Sequence, residues 1–240
     1  MKRVITLLLL LVAVAATINA RTYVLITGVS NYNHPKIQNL PQATKDAKTV
    51  YNLMKARYPD TSILTGSNAN CGNVLEKLGA IVNRAGKNDC IIFYYSGHGS
   101  NEGLLYSDGL MKYYNLLQKV KNASAGKIIF IFDACQSGGS LNAVNAMKQR
   151  GELNPGVAII AASRADETAT ESPLVGAGFL TQALVKGMRG KADGNADKTV
   201  TLKELFKYIY NDVTVRSKSK QHPQLIAPAR LNNAAIISFN

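Results

Sequence analysis

The stretches IIFYYS at 91–96 and KIIFIFD at 127–133 constrain the fold more than any other feature of the chain. Each is a run of apolar, mostly β-branched and aromatic residues. Neither shows the polar alternation of a sheet with one wet face, so each is expected as a strand buried on both sides. Both stop at small-residue turns, GHGS in one case and ACQSGG in the other. Around them the elements alternate. Strands are expected at 22–29, 61–65 and 156–163, and helices at 41–58, 72–85, 111–122 and 176–188, with a short ribbon or loop excursion at 103–109. In the first helix Ala43, Ala47, Val50, Leu53 and Met54 form the apolar stripe. This order predicts an α/β fold, a three-layer αβα sandwich with a mostly parallel sheet. Ligands of such sheets bind outside the carboxyl ends of the strands. His98 and Cys135 both follow carboxyl ends, which puts them on one edge.

The first twenty residues stand apart. A basic start, MKR, precedes the apolar run VITLLLLLVAVAA and the small-residue end TINA, the layout of a secretory signal peptide cleaved after Ala20. The run is short for a bilayer span. The expected organisation is a signal peptide over 1–20 and one domain over 21–240, secreted or periplasmic, with no membrane attachment after cleavage. The formal charge of +13 favours anionic surroundings. The lysines are scattered, and RSKSK at 216–220 is the densest stretch, so no specific nucleic-acid partner is expected.

An odd cysteine count in an exported chain leaves at least one thiol unpaired. The helix between Cys71 and Cys90 would separate its ends by roughly 20 Å, too far for a disulfide, which needs Cα atoms within about 7 Å. Cys135, on a glycine-rich turn, invites a chemical role. Acyl transfer by a thiol needs a nucleophile, a proton carrier and donors for the oxyanion. Cys135 and His98 supply the first two, and the backbone N–H groups of Gly99 and Cys135 are candidates for the third. No residue that orients His98 is assignable from sequence, so the pair reads as a dyad. The competing reading makes both incidental turn residues.

YYSGHGS and IFDACQSGG resemble the histidine and cysteine motifs of the caspase-like cysteine peptidases, in a form closer to metacaspases and their bacterial relatives. The likeness extends over most of 22–215. LITGVSNYNHPKIQNLPQATKDA resembles the family's first strand and first helix, IIAASRADETATES the strand after the nucleophile, and GAGFLTQAL the following helix start. KADGNADKTVTLKELFKYI is similar to a segment of bacterial members. The resemblance implies a caspase-like fold and hydrolysis of peptide bonds. It also implies a metacaspase-type pocket for arginine or lysine, drawing on Asp133, Ser96 and Asp46. Carboxylates hold a guanidinium by strong, directional hydrogen bonds. Arg164 argues the other way, since an arginine at that edge would favour an acidic substrate.

The calcium loops of many metacaspases find only Glu102 and Asp108 here. An EF-hand-like spacing at Asp193, Asn195, Asp197 and Glu204 is offset by Lys198 where glycine is wanted. The preferred reading is a helix cap, with Thr201 and Glu204 as a capping box. No metal and no organic cofactor are therefore expected. The segment 138–156 reads as polar and flexible or as a surface helix, with Lys148 and Arg150 as candidates for self-cleavage. The expected partners are proteins or peptides with basic residues. The rivals are a legumain-like or clostripain-like peptidase, a catalytically silent binding module, and a basic polyanion binder.

Overall fold

The computed structural model describes residues 20–167 and 178–239. The signal-peptide expectation for 1–20 lies almost wholly outside them, as does part of the segment following Arg164. In chain order the elements are β1 (Thr22–Gly28), α1 (Pro41–Lys55), β2 (Thr61–Thr65), α2 (Cys71–Arg84) and β3 (Cys90–Ser96). A hairpin follows, β4 (Gly103–Tyr106) and β5 (Gly109–Lys112), then α3 (Tyr113–Lys119), β6 (Lys127–Asp133), α4 (Ser140–Gln149) and β7 (Val157–Ala161). The chain ends with α5 (Phe179–Lys186), β8 (Thr199–Thr201), α6 (Leu202–Arg216), β9 (Gln224–Ile226), α7 (Ala229–Asn232) and β10 (Ala235–Ser238).

Six strands form one sheet in the order β2-β1-β3-β6-β7-β9. All neighbours are parallel except β7 and β9. Every residue of β3 is buried, as expected of a strand covered on both faces. Alternate side chains feed two cores. Phe93, Tyr95, Phe130 and Phe132 pack with residues of α2, α3 and α4. Ile92, Tyr94, Ile129 and Ile131 pack with residues of α1, α5 and α6 on the other face. Helix–sheet–helix layering matches the sequence reading.

The differences are local. Helix α3 begins at Tyr113, two residues later than expected, because 109–112 pair as a strand with 103–106. The segment 140–149 is a helix rather than a flexible linker, since Val144 and Met147 bury one face. Lys148 lies in its last turn and Arg150 just beyond its end. Leu53 is only half-buried, and Asp46 takes a buried place in the stripe of α1. The β8–β10 ladder and the antiparallel edge strand β9 had no sequence signal, being three or four residues long.

The 193–204 loop satisfies itself. Asp193 accepts from the N–H groups of Asp197 and Lys198, and Asp197 from Thr199. Glu204 and Thr201 form the expected capping box on α6. Thr201→Ala is expected to destabilise the protein by about 1 kcal/mol, a fall of roughly 2–4 °C in melting temperature. Thermal unfolding followed by circular dichroism measures it.

Candidate active site

The carboxyl ends of β3 and β6 lie side by side, with Ser96 paired to Asp133 in the ladder. Past Ser96 the chain turns through Gly97, whose N–H donates to the Asp133 carbonyl at 3.3 Å. His98 and Gly99 follow. A Cβ on Gly99 would stand 2.7 Å from the Cys135 carbonyl oxygen and 2.8 Å from the Ala134 Cβ. The residue after the histidine therefore rests on the turn that carries the cysteine, and only glycine allows that approach. His98 and Cys135 share one rim of the sheet and are both partly exposed.

His98 is held from the β1–α1 loop. Its Nε2 lies 2.7 Å from the carbonyl oxygen of Gln38, and its ring stands 4.8 Å, centroid to centroid, from that of Tyr32. The Tyr32 hydroxyl accepts the His98 backbone N–H at 2.8 Å and donates to the Val29 carbonyl. A carbonyl only accepts, so Nε2 carries a proton and Nδ1 is the nitrogen left to exchange one. The orienting third group is thus a backbone oxygen. Sequence reasoning missed it because any residue type at position 38 supplies the same atom.

Gly99 pairs with Leu104 across a narrow antiparallel bridge whose hydrogen bonds run from Leu105 N–H to the His98 carbonyl and from Ser100 N–H to the Gly103 carbonyl. In this non-bonded type of pair the N–H of Gly99 points away from the ribbon. It remains a free donor beside the cysteine turn. The turn itself is tightly built. Gln136 is left-handed, with φ 53°. Buried Ser137 accepts the Ala162 N–H at 2.9 Å. A Cβ at Gly138 would stand 2.6 Å from the Ala165 nitrogen. The small residues of ACQSGG therefore let the cysteine turn lie flat against the chain after β7. Burial, and then the Asp133 charge, push the Cys135 thiol above its ordinary range.

Below this rim, on the α1 and α5 side, the three predicted pocket residues come together. Asp133 is 1% exposed, Asp46 4% and Ser96 0%. Glycine again sets the approach. A Cβ on Gly28 would stand 2.5 Å from the Ala47 Cβ, so α1 leans on the end of β1 and brings Asp46 to the sheet edge. Gly178, with φ 92°, lies against Asp46 at the start of α5. One oxygen of Asp133 accepts both the N–H and the hydroxyl of Thr181. Gln42 donates to one oxygen of Asp46 at 2.7 Å. The other oxygens, Asp133 Oδ1 and Asp46 Oδ2, are buried without a hydrogen-bond partner among the described residues, and so is Ser96 Oγ. Among the described residues no cationic nitrogen lies within 4.0 Å of either carboxylate. Arg164 turns to Glu167 instead, its Nε 3.9 Å from Oε1. Burial and the Asp46 charge push the Asp133 carboxyl up to about 7, against the pull of Thr181 and Gly178. Burial pushes Asp46 up to about 6.

A family profile for the caspase domain matches residues 21–233. The chain belongs to the caspase-domain family. Its fold is shared by caspase-1 of Spodoptera frugiperda, with a TM-score of 0.66 at 14% identity over 87% of this chain and 89% of that one. It is shared equally by protein GSU0716 of Geobacter sulfurreducens, with a TM-score of 0.63 at 14% identity over 91% and 98%. No curated protein sequence matches the chain. Family membership accounts for the layered fold around the mostly parallel sheet. All three cysteines are free thiols, in line with the helix that separates Cys71 from Cys90. Among the described residues no helix is long and apolar enough to cross a membrane.

Proposed function

We propose that this caspase-family chain is an exported cysteine endopeptidase that cuts peptide bonds after arginine or lysine. The observation that carries the specificity is the set of three buried oxygens, on Asp46, Ser96 and Asp133, that have no partner and no cation beside them among the described residues. Two carboxylates buried together repel each other until a positive group enters, and a guanidinium offers five donors to such a set. An aspartate side chain in the same place would add a third negative charge.

The chemistry follows from the rim. Nδ1 of His98 takes the Cys135 proton as the sulfur bonds to the scissile carbonyl carbon, whose π electrons move to oxygen. The N–H groups of Gly99 and Cys135 hold that oxyanion. Its collapse breaks the C–N bond, and His98 passes the proton to the departing amine. Water then hydrolyses the thioester. A cation in the pocket cancels the Asp133 charge that opposes thiolate formation, so the correct side chain also aids the attack. The protein acts outside the reducing cytosol, and the partly exposed thiol gains from added reductant.

Matched reporter peptides ending in Arg, Lys or Asp before a coumarin amide test this reading. Cleavage of the Arg and Lys peptides at least about 10²-fold faster than the Asp peptide is expected. Activity confined to the Asp peptide refutes the pocket, and labelling of Cys135 without cleavage of any peptide favours a silent binding module.

A further inference from the structure

The same edge of the sheet holds a second cavity that the acid pocket does not use. About 480 Å³ in volume, it opens between the carboxyl ends of β1 and β2. Asn31 and Asn33 line it from the loop that holds His98, Ser67 and Asn70 from the segment after β2, and Ser107 and Asp108 from the turn of the β4–β5 hairpin. In a chain with a formal charge of +13, the lining contains no lysine or arginine and one carboxylate, Asp108. That carboxylate accepts the Cys71 N–H at 2.9 and 3.1 Å. A carboxylate has roughly four acceptor positions, so capacity for a ligand remains.

The hairpin links this cavity to the rim. Leu105 N–H donates to the His98 carbonyl at 2.9 Å, and Tyr106 and Thr27 join their hydroxyls over β1. Ser107 then donates to the Ala69 carbonyl. Tyr106 pairs with Gly109, so the turn at Ser107 and Asp108 begins about 7 Å along the strand from Leu105, the span of two substrate residues beyond the one beside His98. The direction of the substrate is set by the chemistry. The acyl part stays on Cys135 with its side chain in the acid pocket, while the amine leaves past His98, toward β1 and β2.

We infer that the cavity at Asn31, Asn33, Ser67, Asn70, Ser107 and Asp108 is a leaving-side subsite that receives a lysine or arginine about three residues after the cut. This rests on the endopeptidase reading. It makes the enzyme a reader of two basic residues, one on each side of the scissile bond.

The test compares internally quenched peptides with Arg before the cut and Lys, Ala or Glu at each of the second to fourth positions after it. The Arg coumarin amide, which has no residue beyond the leaving group, serves as the reference for each protein. Lys is expected to exceed Glu about 10-fold in kcat/KM at one of these positions, mainly through KM. Relative to the coumarin reference, Asp108→Asn should reduce that ratio to near 1. Ser67→Lys, at an exposed position whose backbone carbonyl, kept by the variant, is the atom that Asn70 uses, should invert it. Equal rates for Lys, Ala and Glu in the wild-type protein overturn the subsite, as does a preference that both variants leave intact. Failure of the coumarin amide itself to be cut marks the loss of the endopeptidase reading instead.

Discussion

Cys135→Ala and His98→Ala are each expected to lower kcat on an arginyl reporter by about 10⁴–10⁶-fold, and the double variant by little more than either single one. Groups that act on one proton and one bond fail together, so their losses do not add. Both side chains sit partly exposed on the rim, outside the two cores. The melting temperatures should accordingly stay within a few degrees of wild type. Gln38 offers a contrast, because its functional atom belongs to the backbone. Gln38→Ala keeps the carbonyl on Nε2 and should retain most of the activity. For His98→Ala, which keeps the sulfur, titration by an arginyl chloromethyl ketone separates a slow site from a missing one. A Cys135→Ala protein that still cleaves the reporter at wild-type rate would remove the sulfur from the mechanism.

Asp133→Asn should reverse the usual relation between stability and activity. Asparagine keeps an oxygen for Thr181 and removes a buried charge that lies beside Asp46. Cleavage after arginine should fall by about 10²-fold or more, the loss expected when one partner of a buried charge pair is deleted, about 3 kcal/mol. Stability moves the other way. Because burial raises the Asp133 and Asp46 carboxyls, the folded protein keeps protons that the unfolded chain has released from near pH 4 upward. Wild-type stability therefore falls as pH rises from about 4 to about 7, and the penalty is fully present above that window. Among the described residues the side chains that face the pair include Gln42, Ser96, Tyr94 and Thr181, all without formal charge at these pH values. At pH 8 the variant should be more stable than wild type by roughly 2–4 kcal/mol, and at pH 4 the two should converge. Agmatine, an arginine side chain without its backbone, should raise the wild-type melting temperature at pH 8 and leave the variant unmoved. A wild-type protein whose stability rises between pH 5 and 7, with no response to agmatine, would show that the carboxylates are not waiting for a cation.

Much of the architecture was legible because continuous apolar runs have few homes. IIFYYS and KIIFIFD had to lie inside a parallel sheet, and the alternation with helices then fixed which ends face the same way. The acid pocket was legible in part. Asp133 ends a buried strand and so demanded an explanation. Asp46 declared itself less clearly, since it stands among apolar residues of α1, and its burial depends on Gly28 letting that helix approach. Thr181, which holds Asp133 from α5, lay within the stretch GAGFLTQAL that resembles the family, but nothing in the sequence tied it to Asp133.

The chain's own residues determined the layered fold and the rim that carries His98 and Cys135, because periodicity and strand-end chemistry are local properties, whereas the two acids near it were singled out through the family resemblance. Tertiary structure alone decided that Gln38 turns its carbonyl to the imidazole, that Asp46 and Asp133 share one buried space, and that a second polar cavity opens beside the hairpin. Each of these depends on where segments distant in sequence come to rest, and close packing sets such contacts through the shape of the whole core rather than through any one stretch of chain.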